Sequence, residues 1–212
     1  MSEIKQTVTD WIDAHHDLIV DAHQKAWELA EVGLLEHQTS ALLAGILEAH
    51  GFTVERGVAG MPTAFVATYG SGAPVIGVMA ELDALPGLSQ QAVPYREPAV
   101  EGGAGHGCGH CSYAATALGA ALAVKAAIDA HGLPGTIKCF GCPAEETLVG
   151  KVFMVRDGVF DGLDACLGHH PGGANTVFMG HGNAMNSVKT ELTQIHVLGL
   201  EADRIPAPCH HR

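Results

Sequence analysis

The feature of this sequence that most constrains its fold is an alternation of helical and extended patterns along its second half. A helical pattern over residues 113–130 ends at the His-Gly-Leu-Pro sequence of residues 131–134, and a strand pattern follows at residues 136–140. A further helical pattern at residues 146–157 leads to a short strand at residues 164–167. This alternation predicts parallel β-α-β units, with the connecting loops at one edge of the sheet.

The first half of the chain is predicted to contribute two amphipathic helices and three more strands. Apolar residues recur at helical spacing over residues 3–33 and again over residues 35–50. Short β-rich runs follow at residues 53–56, 63–69 and 74–79, with glycines in hairpin-like positions between them. The predicted fold class is therefore α/β, with a central mixed sheet flanked by helices.

Charge and hydropathy exclude two classes of partner. The formal net charge is −12 and no long Lys/Arg cluster is present, which argues against binding to nucleic acid or to an anionic membrane surface. Residues 1–11 lack the basic and apolar regions of a signal peptide, and the most apolar stretch, residues 114–128, is interrupted by Lys125. These observations predict a soluble cytoplasmic protein.

Four polar clusters lie at the ends of predicted strands or at the start of a predicted helix. They are Glu81-Leu82-Asp83, Cys108-Gly109-His110, Glu145-Glu146 and His169-His170. Because ligands gather at the carboxyl ends of strands in a doubly wound sheet, we expect the clusters to converge. Their carboxylate, imidazole and thiolate groups suit Zn²⁺ or a similar divalent ion. In a paired Glu-Glu, one carboxylate would bind metal and its neighbour would transfer a proton from water to a leaving amine.

The order of four longer motifs resembles a known family. The motifs are AELDALPG (80–87), HGCGH (106–110), GTIKCFGCPAEE (135–146) and GKVFMVRDGVFDGLDACLGHHP (150–171). In this order they resemble the di-metal aminoacylase and carboxypeptidase family of amidohydrolases, and within it the p-aminobenzoyl-glutamate hydrolase and auxin-conjugate hydrolase branch. The resemblance runs from the first helix to about residue 190. It implies a zinc-exopeptidase-like fold that hydrolyses N-acyl or N-aroyl amino acids or dipeptide-like amides, and a homo-oligomer for the intact family protein.

The resemblance also implies a role for individual residues. The implied metal ligands are Cys108, His110, Glu146 and His170. Glu145 would be the general base, and Asp83 would orient ligands from behind. The implied cofactor is a pair of divalent ions, with Zn²⁺ favoured by the thiolate and Mn²⁺, Co²⁺ or Ni²⁺ also compatible with the ligand set. His169 would be a neighbour only, whereas His106 would be either an outer residue of the site or a solvent-facing loop residue.

The sequence departs from the family pattern near its end. Residues 1–185 correspond to the first part of the catalytic domain, and residues 186–212 to the first strand of a lid domain followed by an atypical tail. Asp203 stands where the family has a substrate-binding His, and a distal His ligand of the family has no counterpart here. We therefore expect an incomplete metal site. A catalytically inactive, truncated family member is the main alternative to an active amidohydrolase.

Two CxxC pairs support a weaker alternative, a structural zinc site. Cys108 and Cys111 form one pair, and Cys139 and Cys142 form the other, as in a zinc ribbon. The long helical pattern between the pairs argues against this interpretation, since zinc ribbons use short knuckles. A thioredoxin-like redox role is weaker still, because neither pair opens a helix directly after a first strand.

Overall fold

A computed structural model describes residues 2–171 of the chain. The helices are α1 (Glu3–Ala14), α2 (His16–Leu29), α3 (His37–Ala49), α4 (His110–His131) and α5 (Gly150–Arg156). The strands are β1 (Thr53–Arg56), β2 (Phe65–Ser71), β3 (Val75–Glu81), β4 (Gly135–Cys142) and β5 (Ala165–Leu167). The lid-domain strand and the tail predicted for residues 186–212 lie outside the described residues.

The strands form one mixed sheet in the order β1-β2-β4-β3-β5. Strand β3 is parallel to β4 and to β5, whereas β2 is antiparallel to β1 and to β4. The predicted fold class and the parallel β-α-β units are therefore confirmed. The hairpin-like glycines at residues 70–72 do not join paired strands, because β4 lies between β2 and β3. The register places Glu81 opposite Cys142, so β3 and β4 end at the same edge.

Alternate residues of the strands serve two separate cores. Ile137 and Cys139 of β4 face a core formed with α2, α3 and α4, while Phe140 and Cys142 face a second core that contains Met154 of α5. This is the alternation expected for a strand that is covered on both sides. The two faces of the sheet are thus covered by helices. The loops that follow β3, β4 and β5 are therefore available to form a functional site.

Helix α4 is the only helix among residues 2–171 that is long and apolar enough to cross a membrane. Most of its apolar window is buried inside the protein, where α4 packs against β3, β4, α1 and α2. One such helix is weak evidence for a membrane span, since the central helix of a folded core has the same composition.

The amino-terminal helical pattern is broken in the structure, and the prediction of one helix over residues 3–33 was wrong. His15 leaves the helical conformation between α1 and α2. Its ring stacks on Trp11 at 4.1 Å between centroids, and its Nδ1 hydrogen-bonds to the Trp11 carbonyl at 2.8 Å. A side chain that binds a carbonyl of the preceding turn competes with helix continuation, and periodicity does not reveal this competition. The chain therefore opens with three helices.

The long segment between β3 and α4, residues 82–109, contains no helix or strand. Two isolated bridges hold it, one between Val32 and Ala84 and one between Leu85 and Gly105. These bridges bring residues 106–110 back to the end of β3, where Asp83 lies. The loop therefore delivers the HGCGH motif to the sheet edge.

Candidate metal centre

The four polar clusters meet at the carboxyl ends of the parallel strands. Glu81 is the last residue of β3 and His110 is the first residue of α4. Glu145 and Glu146 follow the end of β4 by three and four residues, and His170 follows the end of β5 by three residues. The predicted convergence is therefore present in the structure.

His110 is at the middle of the cluster and its side chain is fully buried. Its Nδ1 lies 2.9 Å from the Asp83 carbonyl oxygen and 3.1 Å from Asp83 Oδ1. Because a carbonyl oxygen can only accept, Nδ1–H donates and Nε2 of the neutral ring is left with a free lone pair. That Nε2 lies 3.1 Å from Glu81 Oε2, 3.7 Å from Glu145 Oε2 and 3.9 Å from Glu146 Oε1.

Cys108 and His170 lie on the other side of His110. Cys108 Sγ is 3.1 Å from His170 Nε2, and the His170 ring meets the His110 ring edge-on at 5.9 Å between centroids. His170 Nδ1 donates to the Pro171 carbonyl at 2.8 Å, so Nε2 of the neutral ring is the acceptor that faces the Cys108 thiol. In the neutral form, both imidazoles would present the lone pair of Nε2 to the same space, the form in which histidine binds metal.

Two groups of side chains among the described residues could hold a metal ion. The first is Cys108, His110 and His170, and the second is Glu81, His110 and Glu145. Within each group the ligand atoms lie within 4.8 Å of one another, and His110 belongs to both. Glu146, a predicted ligand, belongs to neither group, although its Oε1 faces His110 Nε2.

Unpaired buried atoms support a cation at this place. His110 Nε2 and Glu146 Oε1 are both buried without a hydrogen-bond partner. Buried polar atoms of this kind are rare in folded proteins and cost free energy unless something pairs with them. A divalent cation would pair with both, because each atom offers a lone pair. The donor set of carboxylate, imidazole and thiol therefore fits a metal such as Zn²⁺.

The pKa values of the cluster reflect crowded, partly buried negative charge. Burial, followed by the charge of Glu146, raises the pKa of the Cys108 thiol to about 12. Burial and the charge of Glu81 raise the pKa of Glu145. Burial would lower the pKa of His110, but its hydrogen bond to Asp83 and the charge of Glu81 outweigh burial and raise it. A bound cation would oppose the first two shifts and favour the ligating forms.

Asp83 contacts two predicted site residues from behind. Its Oδ1 accepts from His110 Nδ1, and its Oδ2 accepts from the Glu146 backbone N–H at 3.0 Å. Burial raises the pKa of Asp83, but the hydrogen bonds from His110 and from the Glu146 backbone outweigh this and hold the pKa below its usual value. An ionised Asp83 at this position can fix the tautomer of His110. The orienting role that the resemblance implies for Asp83 stays a prediction.

Sequence reasoning assigned no role to two charged residues of the cluster. Glu81 was named in one of the four polar clusters without a role of its own. In the structure it ends β3 beside His110 and belongs to one of the two potential ligand groups. Lys151, at the start of α5, forms an ion pair with Glu81, and both side chains are largely buried. The sequence did contain a signal for this pair, a single Lys in the apolar run VGKVFMV. A lysine in an apolar run is expected to be buried, and a buried cation needs a buried anion as its partner.

Among residues 2–171, the other histidines and cysteines belong to no candidate ligand group. His169 lies against the Tyr113 ring, and His106 Nε2 hydrogen-bonds to the Ala26 carbonyl at 3.0 Å, so His106 is not a solvent-facing residue. In residues 2–171, no group of candidate metal ligands includes Cys111, Cys139 or Cys142, which are buried free thiols. The structural-zinc alternative was therefore wrong for this part of the chain: Cys111 and Cys139 are buried on a helix and a central strand.

Known proteins of similar sequence share this part of the chain. One subunit of the p-aminobenzoyl-glutamate hydrolase of Escherichia coli (strain K12) is 44% identical over 172 residues, which cover 81% of this chain and 36% of that protein. The thermostable carboxypeptidase 2 of Saccharolobus solfataricus is 35% identical over 159 residues, covering 73% of this chain and 39% of that protein. The chain thus spans little more than a third of the length of these relatives.

A solved structure supports the same relationship. A Bacillus subtilis protein, described as a dinuclear metal binding peptidase from the M20 family, matches with a TM-score of 0.65 and 25% identity. The match covers 79% of this chain and 49% of that protein. The model of peptidase family M20/M25/M40 matches residues 77–196, which include every residue of the candidate centre. With the convergent ligand groups, this match shows that the chain belongs to peptidase family M20/M25/M40.

Proposed function

We propose that this chain carries the first part of a metal-dependent amidohydrolase that cleaves the amide of N-acyl or N-aroyl amino acids, of the p-aminobenzoyl-glutamate type. The observation that carries the proposal is the pair of ligand groups that share His110, with His110 Nε2 and Glu146 Oε1 buried and unpaired between them. The 44% identity to part of a p-aminobenzoyl-glutamate hydrolase supports this substrate class.

The proposed metal ligands are those predicted from the sequence, Cys108, His110, Glu146 and His170. They would hold two divalent ions, which when bound would supply Lewis-acid activation of water and of the scissile carbonyl. Asp83 would hold His110 Nδ1–H so that Nε2 stays directed at the centre. Zn²⁺ is our first choice because a thiol belongs to the set.

Glu145 is the proposed general base. Its side chain is 31% exposed, compared with 20% for Glu146, so it is more open to a substrate and to water. Burial and the neighbouring Glu81 raise the pKa of Glu145, which makes its carboxylate a better proton acceptor than an ordinary surface glutamate. Glu145 would accept a proton from the attacking water and deliver it to the nitrogen of the leaving group.

The test is metal content and turnover measured on the same preparation. The 212-residue chain, purified without chelator, is analysed for bound metal and assayed on p-aminobenzoyl-glutamate with added Zn²⁺ or Mn²⁺. Bound metal together with chelator-sensitive turnover would support the proposal. Bound metal without turnover would contradict activity in this chain and favour the inactive family member, and a chain without metal affinity would contradict the proposed centre itself.

The two adjacent histidines offer a matched pair of variants. His170→Ala is expected to lower the affinity for Zn²⁺ about tenfold or more, because its Nε2 faces Cys108 Sγ in one of the ligand groups. His169→Ala is expected to leave the affinity unchanged, since His169 belongs to neither ligand group. Titration of each variant against a competing chelator measures the difference. Equal affinities in the two variants would show that His170 is not a ligand.

A further inference from the structure

The turn that carries the two glutamates of the centre has an unusual backbone. Ala144, just before Glu145, has φ = 53°, in the left-handed region that residues with a Cβ rarely adopt. Its carbonyl accepts hydrogen bonds from Val149 N at 3.2 Å and from Thr147 Oγ1 at 3.2 Å. A backbone of this kind persists only where the surroundings hold it.

A buried carboxylate holds the amide of the same residue. Glu36 is fully buried, and its Oε1 accepts from the Ala144 backbone N–H at 2.8 Å. Glu36 directly precedes α3, whose Leu43 and Leu47 lie in the core. The position of Glu36 is therefore fixed by core packing, and it transmits that position to Ala144.

The surroundings of Glu36 do not favour a carboxylate on grounds of stability. Its Oε2 is buried without a hydrogen-bond partner, and so is the Thr63 hydroxyl nearby. Burial raises the pKa of Glu36, and the hydrogen bonds from neighbouring backbone N–H groups only partly offset this. A carboxylate that is costly to bury and only half-paired is expected at a functional position.

Two carboxylates therefore accept hydrogen bonds from the backbone of this turn, one at each end. Glu36 accepts the N–H of Ala144, and Asp83 accepts the N–H of Glu146. Glu145 lies between these two hydrogen-bonded residues in the chain, and Glu146 is itself the second of them. Asp83 also hydrogen-bonds to His110, whereas Glu36 forms no hydrogen bond or ion pair with a candidate ligand among the described residues. We therefore expect Glu36 to act on the centre through the backbone of the turn.

We propose that Glu36 is a positioning residue of the metal centre, which fixes the turn bearing Glu145 and Glu146 by accepting the Ala144 N–H. The inference rests on the proposed function, since it concerns the same centre. Glu36 does not touch metal or substrate. It sets the direction of the Glu146 carboxylate toward the space that His110 Nε2 faces.

The test uses variants that separate positioning from stability. Glu36→Met keeps the volume and removes the acceptor, so the fold is expected to remain while the Ala144 N–H loses its partner. Glu36→Gln keeps an acceptor oxygen for Ala144, and its amide can donate to Thr63. Thr63→Val is the matched control, because it changes the other side of the carboxylate and leaves the bond to Ala144 in place.

Two readouts are measured on the full chain. The first is hydrogen exchange of the Ala144 amide in metal-free protein, relative to the amide of Cys139 in β4. The second is Co²⁺ affinity with the visible spectrum of the bound ion, which reports ligand geometry. Glu36→Met is expected to speed exchange at Ala144 and to weaken Co²⁺ binding about tenfold with an altered spectrum, whereas Glu36→Gln and Thr63→Val remain close to the unmodified chain.

The two levels of the proposal fail separately. If the unmodified chain does not bind Co²⁺, the proposed function is overturned. If it binds Co²⁺ and Glu36→Met binds with the same affinity and spectrum, the metal centre stands and the positioning role of Glu36 is overturned. If Glu36→Gln weakens binding as much as Glu36→Met, hydrogen-bond acceptance by residue 36 is not the relevant property, which also overturns the role.

Discussion

Replacing Glu145 with Gln is expected to lower kcat for p-aminobenzoyl-glutamate about a thousandfold, while the protein keeps its metal. A positioned general base contributes about a hundredfold to ten-thousandfold to a hydrolytic step, and Gln cannot accept the proton. The amide is nearly isosteric with the carboxylate, so the substitution leaves the packing of the turn unchanged. The measurement is steady-state kinetics combined with elemental analysis of each preparation.

The neighbouring residue is the control for this prediction. Glu146→Gln is expected to reduce metal affinity first, and activity only as a consequence that excess metal partly restores. The geometry makes this comparison informative, because Glu145 belongs to one of the two potential ligand groups and Glu146 does not. If Glu145→Gln loses metal and Glu146→Gln does not, the two roles are exchanged relative to our proposal.

Replacing Lys151 with Met is expected to lower the free energy of unfolding by roughly 3 kcal/mol. The substitution leaves the Glu81 carboxylate largely buried, without its cation and next to Glu145. Restoring neutrality should recover most of the loss, so the double variant Glu81→Gln/Lys151→Met is expected to approach the stability of the unmodified chain. Urea unfolding of the metal-free protein, followed at a single probe, measures each difference.

A second lysine in the chain provides the control. Lys125 pairs with Asp129 one helical turn away on α4, where the Asp129 side chain is 44% exposed. Exposed pairs of this kind contribute about 1 kcal/mol or less, so Lys125→Met is expected to have a small effect. Equal losses for Lys125→Met and Lys151→Met would show that the pair with Glu81 is not a stabilising buried interaction.

Patterns along the chain predicted the sheet better than they predicted its connections. Strand β1 was predicted with its observed bounds, and the other four strands were found within two residues at either end. The prediction of parallel units was confirmed because it depends on the spacing of helices and strands. The insertion of β4 between β2 and β3 was not predicted, since local glycine signals at residues 70–72 cannot reveal a pairing made 64 residues later.

The predictions for the candidate site show the same difference between local patterns and long-range contacts. Cys108 and His110 were proposed as ligands because the ordered motifs that contain them resemble those of a known family, and the structure brings both into one potential ligand group. Glu36 and Lys151 were missed because each acts through a partner far away in the sequence, Ala144 for the first and Glu81 for the second. A single buried charge is hard to recognise from the sequence, because its partner is known only once the fold is known.

The placement of the centre at the ends of three parallel strands bears on the order in which the protein folds. Glu81 and His170 come together only after two crossover connections have closed and β3 has paired on both of its sides. Such long-range closure is slow compared with helix formation. During synthesis the ribosome releases His170 well after β3, so a nascent chain presents scattered thiols and imidazoles but no chelating pocket. We therefore expect the proposed centre to bind metal only after the sheet has formed, so that the ion would stabilise chains that are already folded.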